Sequence, residues 1–184
     1  MDTKTKALSL GRHYLQTLGF NGFSFQTVAD ALGIRKASLH YYFASKEEMG
    51  LAILEDYQKA YATWAQNIHG LPADKKMEQM LQMFYKIGKD HNKVCPLGAL
   101  CSDFNTLSEK IQDRLREFHL QQRKWLIATI KEGMKDKIFR QDLNPPIVAD
   151  TFLAAIQGGL QVARIRGEAE TFKSMVKNLV KELS

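Results

Sequence analysis

The sequence predicts an all-α protein: three short helices at the N-terminal end, then a larger bundle, about nine helices in all. Three observations carry that prediction. Apolar residues recur at steps of three and four along nearly the whole chain, the period of a helix with one buried face. Alternating polar and apolar runs, the mark of a half-buried strand, are scarce. Capping residues and helix breakers mark the ends of the periodic segments.

Taken in order, the first helix is expected over residues 3–18, with Ala7, Leu8, Gly11, Leu15 and Leu18 inward and Gly19 and Gly22 ending it. The second covers 25–32, with Ser24 as its N-cap. Gly33 supplies the left-handed residue of a tight turn, and a third helix follows over 36–43. Ser45-Lys46-Glu47-Glu48 has capping-box spacing, so a fourth helix starts at Ser45 and runs to His69, before Gly70-Leu71-Pro72. A fifth begins near Asp74, carries Met77, Met80, Leu81, Phe84 and Ile87 on one face, and stops at His91-Asn92. A short segment spans 97–104. Thr106 and Glu109 repeat the capping-box pattern and open a long helix to Lys137. Asn144-Pro145-Pro146 starts a helix that Gly167 stops after Arg166, and the last covers 169–183. The expected domains are residues 1–45 and 46–184, with the fourth helix shared between the short helices and the bundle.

The chain has 184 residues, 45% apolar and 25% charged, enough for a packed core and unlike a disordered chain. Residues 1–46 hold six basic side chains (Lys4, Lys6, Arg12, Arg35, Lys36, Lys46) against Asp2 and Asp30, a net +4 of the total +6. A basic end on a near-balanced body points to a polyanionic partner at that end, or to a solvated basic surface. No run approaches the ~18 apolar residues of a membrane span. Met1-Asp2-Thr3-Lys4-Thr5-Lys6 has no apolar signal region behind it, so a cytoplasmic location is expected.

Cys95 and Cys101 are too few for a disulfide framework. His91 precedes Cys95 by four residues, but Pro96 and the six-residue gap match no familiar metal spacing. A thiol sensor needs a depressed pKa, and Lys93 is the cation nearest Cys95 in sequence. Structural, thiol- or electrophile-sensing and metal roles stay open, in that order. His13, His69 and His119 are scattered and expected at the surface. No nucleophile with a base, paired carboxylates or phosphate loop appears, and Gly158-Gly159 lies inside an apolar helix. The expectation is a protein that is not an enzyme, with no cofactor and no metal.

Residues 24–46 carry the chemistry that suits DNA. Two short helices joined by a glycine turn make a helix-turn-helix, which lays its second helix in the major groove. That helix offers Lys36, Ser38, His40 and Tyr41 as hydrogen-bonding groups, while Leu39 and Phe43 anchor it inward. Gln26 and Thr27, and Lys46, lie in the first turns of their helices, where free backbone N–H groups favour phosphate. A generic helical corner with a basic surface is the plainer alternative.

The run Gly19-Phe20, then Ser24-Phe25-Gln26-Thr27-Val28-Ala29, Leu32-Gly33-Ile34, Lys36-Ala37-Ser38-Leu39 and Ala44-Ser45-Lys46-Glu47 resembles the DNA-binding domain of the TetR family of transcriptional regulators. The match is gap-free and covers about a quarter of the chain. Ala37 stands where the family has Gly, and His40 where Tyr is usual, which bears on the target sequence. The resemblance implies DNA contact by Gln26, Thr27, Arg35, Lys36, Ser38, His40, Tyr41, Tyr42 and Lys46. Base reading is expected from Lys36, Ser38 and Tyr41, and phosphate gripping from Tyr42 and Lys46.

The resemblance also implies a body that binds a small molecule and forms a homodimer. Trp64, Met80, Met83, Phe84, Ile87, Phe104, Phe118 and Trp125 are the candidate walls for a small apolar or amphipathic ligand, or else plain core. Phe152, Ala155, Ile156, Gly159, Leu160, Ala163, Phe172, Met175, Val176 and Leu179 are the candidate dimer faces, unless they pack within one chain. The expected function is a dimeric repressor on a palindromic operator in double-stranded DNA, released by an inducer. Activation, thiol sensing through Cys95 and Cys101, and ligand-free architectural DNA binding are the alternatives.

Overall fold

The computed structural model describes residues 2–90 and 92–184. Among the described residues it is all-α, with no strand. The helices are α1 (Thr3–Leu18), α2 (Phe25–Leu32), α3 (Lys36–Tyr42), α4 (Lys46–Asn67), α5 (Ala73–Gly88), α6 (Pro96–Ser102), α7 (Glu109–Lys135), α8 (Pro145–Arg166) and α9 (Ala169–Lys181), with a 3-10 turn at Phe104–Thr106.

Most helix ends follow their local chemistry. The Ser24 hydroxyl accepts the Thr27 N–H at 3.2 Å, and the Thr27 hydroxyl accepts the Ser24 N–H at 3.2 Å. Two of the orphan donors of a helix start are thereby satisfied. Ser45 accepts the Glu48 N–H at 3.1 Å, and Asn144 accepts the Ile147 N–H at 3.3 Å. Gly33 sits at φ +66° and ends α2 in the left-handed conformation.

Several expected boundaries shift, among them the start of α7 and the end of α5. Thr106 does not cap α7: its hydroxyl donates to the Asp103 carbonyl at 2.7 Å, closing the 3-10 turn, and α7 begins at Glu109. α5 ends at Gly88; its expected stop at His91-Asn92, and the metal reading through His91, involve a residue outside the described ones.

The helices form two compact units. The first holds residues up to Tyr61 together with Pro96–Glu117: α1 to α3, the first part of α4, α6 and the start of α7. Its core includes Ala7, Leu15, Phe25, Val28, Leu39, Met49, Leu54 and Leu100. The second holds Ala62–Cys95 and Phe118–Ser184. There α8 packs along α9, and α5 packs on both. Phe84, Phe118, Phe152 and Phe172 are fully buried in it. Lys76, also buried, is neutralised by two hydrogen bonds of 2.7 Å to the Glu132 carboxylate.

That packing corrects the expected dimer face. Phe152, Ile156, Gly159, Leu160 and Ala163 of α8, and Phe172 and Val176 of α9, are buried within the single chain. A side chain with no accessible surface has none left for a partner. Ala155 and Leu179 are half-buried, and Met175 is exposed. The outward side of α8 runs instead through Ile147, Thr151, Ala154, Gly158 and Ile165, all exposed, at steps of four, three, four and seven residues. α8 is apolar on both sides, and periodicity does not say which side the chain itself covers.

Candidate nucleic-acid interface

The reading helix is built by contrast between its two sides. Leu39 is fully buried and Phe43 nearly so, which fixes α3 against α2 and α1. Arg35, Lys36, Ser38 and His40 are exposed, and Tyr41 is 86% exposed. So large an exposed aromatic gains nothing from the core, and its ring and hydroxyl are free to meet another surface. Tyr42, half-buried, holds Tyr41 edge-on with ring centroids 5.2 Å apart. His40 faces Phe25 edge-on at 5.1 Å, and its Nδ1 lies 3.2 Å from the Ala44 carbonyl oxygen. The imidazole therefore braces the end of α3 as well as showing an edge to solvent.

Two expected contact residues are tied up elsewhere. Thr27 is held by the α2 cap, with both its N–H and its hydroxyl bonded to Ser24. Lys46 is the more firmly held of the two. Its ammonium donates to the carbonyl oxygens of Phe20 at 2.8 Å and Phe23 at 3.0 Å, and lies 4.4 Å from the Phe20 ring centroid. Two of its three protons are taken by the turn between α1 and α2, so it is not the free surface cation the sequence suggests. Burial lowers its pKa below the ordinary lysine value, and the Asp103 charge opposes that shift. Gln26 is exposed, with its amide donating to Asp30 at 2.7 Å.

Sequence reasoning missed Asp103 and Asn21. The Asp103 carboxylate accepts the backbone N–H groups of Phe20 at 2.7 Å and Asn21 at 3.2 Å, across more than eighty residues of chain. No local pattern announces such a pairing.

In the second unit, the Trp64 and Trp125 rings meet at a tilt of 51° with centroids 5.2 Å apart, both half-buried. Met80, Phe84 and Phe118 are fully buried, while Met83 and Ile87 are half-buried. Phe104 belongs to the first unit, with the Arg116 guanidinium 5.2 Å from its ring centroid, and the other candidate walls belong to the second. Sequence reading also passed over Gln122, on the same side of α7 as Phe118 and Trp125. It is 1% exposed, and neither its amide nitrogen nor its oxygen has a hydrogen-bond partner. Cys95 is buried in the second unit and Cys101 is exposed in the first. Among the described residues no three metal-ligating side chains gather, and no helix is long and apolar enough to cross a membrane.

A short polar helix, exposed outward and anchored by two apolar side chains behind a glycine turn, defines a helix-turn-helix DNA-binding regulator. The family model for bacterial regulatory proteins of the tetR family matches residues 8–53, and that for the tetracyclin repressor-like C-terminal domain matches residues 73–179. The chain belongs to the TetR family, whose members are transcriptional regulators and not enzymes. It is 24% identical over 178 residues to an HTH-type transcriptional regulator in the lacX 3′ region of Lactococcus lactis subsp. lactis, covering 94% of this chain and 89% of that one. It is 22% identical over 165 residues to the HTH-type transcriptional repressor DhaR of Mycobacterium sp. (strain GP1), covering 86% and 82%. A TetR regulator from Legionella pneumophila superposes with TM-score 0.88 at 25% identity, over 100% of this chain and 98% of that one. A TetR-family regulator from Agrobacterium tumefaciens gives 0.92 at 22%, over 98% and 97%.

Proposed function

We propose that this TetR-family regulator is a cytoplasmic repressor that holds a palindromic operator as a homodimer and lets go when a small molecule binds its body. The carrying observation is α3, with Lys36, Ser38 and Tyr41 turned to solvent on a helix fixed by Leu39 and Phe43. Those three side chains read base edges; Arg35, His40 and Tyr42 contact backbone phosphate, with Gln26 at the start of α2. Reading is assigned to residues 1–45, and ligand sensing and dimerisation to 46–184.

The ligand reading is supported by Gln122. A buried carboxamide with no partner costs free energy that an apolar side chain would not. Among Phe118, Trp125 and buried Thr129 on the same side of α7, it suits a small, mostly apolar molecule carrying a carbonyl or hydroxyl. Dimerisation is assigned to the outward side of α8, through Thr151, Ala154, Gly158 and Ile165, with Met175 and Leu179 of α9; a two-fold dimer presents two identical readers, hence the palindrome. Coupling requires that the ligand and DNA prefer different states, and α4 and α7, each shared by the two units, are the elements able to link them.

The test is a gel shift on the DNA upstream of the chain's own gene, followed by a transcription assay. No shift at low salt with excess protein would sink the reading. A shift with increased transcription would favour activation over repression. A shift released by an electrophile in wild type but not in Cys101→Ser would favour the thiol alternative, since Cys101 is the exposed thiol.

A further inference from the structure

The turn between α1 and α2 is held from two opposite chemical sides. Asp103, after α6, grips its N–H groups: Oδ2 accepts from Phe20 at 2.7 Å and from Asn21 at 3.2 Å. Oδ1 accepts from the Asn21 side-chain amide at 3.1 Å, and that amide also donates to the Thr106 hydroxyl at 2.7 Å. Lys46, at the start of α4, grips its carbonyls, taking Phe20 and Phe23 at 2.8 and 3.0 Å. The Phe20 residue is thus fixed at its N–H by a carboxylate and at its C=O by an ammonium. All these groups lie in the first unit.

Two glycines admit the arrangement. Gly19 has φ +80°, and a Cβ there would stand 3.1 Å from the Asp103 carboxylate. At Gly50 on α4 a Cβ would stand 2.8 Å from the Phe20 ring. The site is therefore built for close approach on both sides of the turn. Ser24, which caps α2, follows directly after the held residues, and α2 packs on α3. Hydrogen bonds to a charged acceptor are short, directional and stronger than neutral ones, so they fix backbone direction as well as position.

We propose that Asp103 is a positioning residue for DNA reading: by holding the backbone at Phe20 and Asn21, it sets the direction in which α2, and through it α3, presents Lys36, Ser38 and Tyr41. The proposal rests on the reading of those three as base contacts. It places a determinant of DNA recognition outside the helix-turn-helix itself, in the segment between α6 and α7. Asp103 touches no DNA; it acts on how well the two halves of a site are met.

The experiment uses the full chain. Wild type first selects duplexes from a randomised library, and failure to enrich any sequence overturns both the base-reading assignment and this proposal. Affinity for the selected duplex and for a scrambled one of equal length is then measured for wild type and Asp103→Asn. Positioning predicts a loss of about tenfold on the selected duplex and under about twofold on the scrambled one, so the ratio falls. A merely structural role reduces the folded fraction and lowers both affinities together. Equal loss, or no loss, overturns the proposal and leaves base reading standing. Should D103N fail to fold, the ratio is read on Asp103→Glu, which keeps the charge but moves the carboxylate one methylene from its place on the Phe20 and Asn21 N–H groups. A ratio lowered about threefold there supports the proposal, and an unchanged ratio overturns it.

Discussion

Lys46 and Phe20 are joined twice: the ammonium donates to the Phe20 carbonyl oxygen at 2.8 Å and stands 4.4 Å from the centroid of the same residue's ring. A residue at the start of α4 thereby closes the turn that leads into the helix-turn-helix. Lys46→Met should lower the unfolding free energy by about 1–2 kcal/mol, since two partly buried carbonyls lose a charged donor. The salt dependence of DNA binding should change by less than one phosphate contact. Denaturant melts and salt titrations check both. Equal stability of K46M and wild type would return Lys46 to the phosphate role that its place in the sequence suggests.

Tyr41 offers the opposite case. It is 86% exposed, so Tyr41→Ala should leave the unfolding free energy within about 0.5 kcal/mol of wild type. Operator affinity should fall by about 1–3 kcal/mol, with the loss confined to a few base positions. A uniform loss across all sequences would reassign Tyr41 to phosphate.

Gln122 pulls stability and response apart. Gln122→Leu replaces an unpartnered carboxamide by an apolar group of similar size, and should raise the unfolding free energy by about 1–3 kcal/mol. DNA binding should survive while release by inducer is lost. A variant less stable than wild type would mean that the carboxamide is satisfied inside the folded chain.

The two sides of α8 separate association from folding. A Cβ at Gly158 meets nothing within 4 Å, so Gly158→Arg should fold normally yet elute as a monomer in light-scattering chromatography. Phe172→Ala, on α9 against the inward side of α8, should cost about 3–5 kcal/mol and melt the second unit. A G158R variant that remains dimeric would move the interface elsewhere.

Arg123 donates two hydrogen bonds, 2.6 and 2.9 Å, to Asp150, tying α7 to α8 and holding that carboxyl below its ordinary value of 3.8. A carboxyl whose pKa is lowered by folding adds stability above the unfolded value, and that stability is lost as pH falls through the folded value. The pair is solvent-exposed, so the effect is small. Asp150→Asn should melt below wild type near about pH 6 and converge with it below about pH 3. A gap of the same size at both would show that charge is not its source.

The sequence by itself determined the helical class, most helix ends and the two-sided character of α3. Each rests on residues within a few positions of one another: Ser24 with Thr27, Ser45 with Glu48, Leu39 with Phe43 against Lys36, Ser38 and Tyr41. Helical period and capping geometry are local, and local order is what a chain shows on its face. Tertiary structure alone decided which side of α8 the chain covers for itself, since both sides are apolar at helical spacing and only the neighbours α5 and α9 choose between them. It also decided where Lys46 points, because a long flexible cation goes to whatever acceptors folding brings within reach. Asp103 meets Phe20 and Asn21 from more than eighty residues away, and no spacing rule encodes a contact that exists only once α6 lies beside α1.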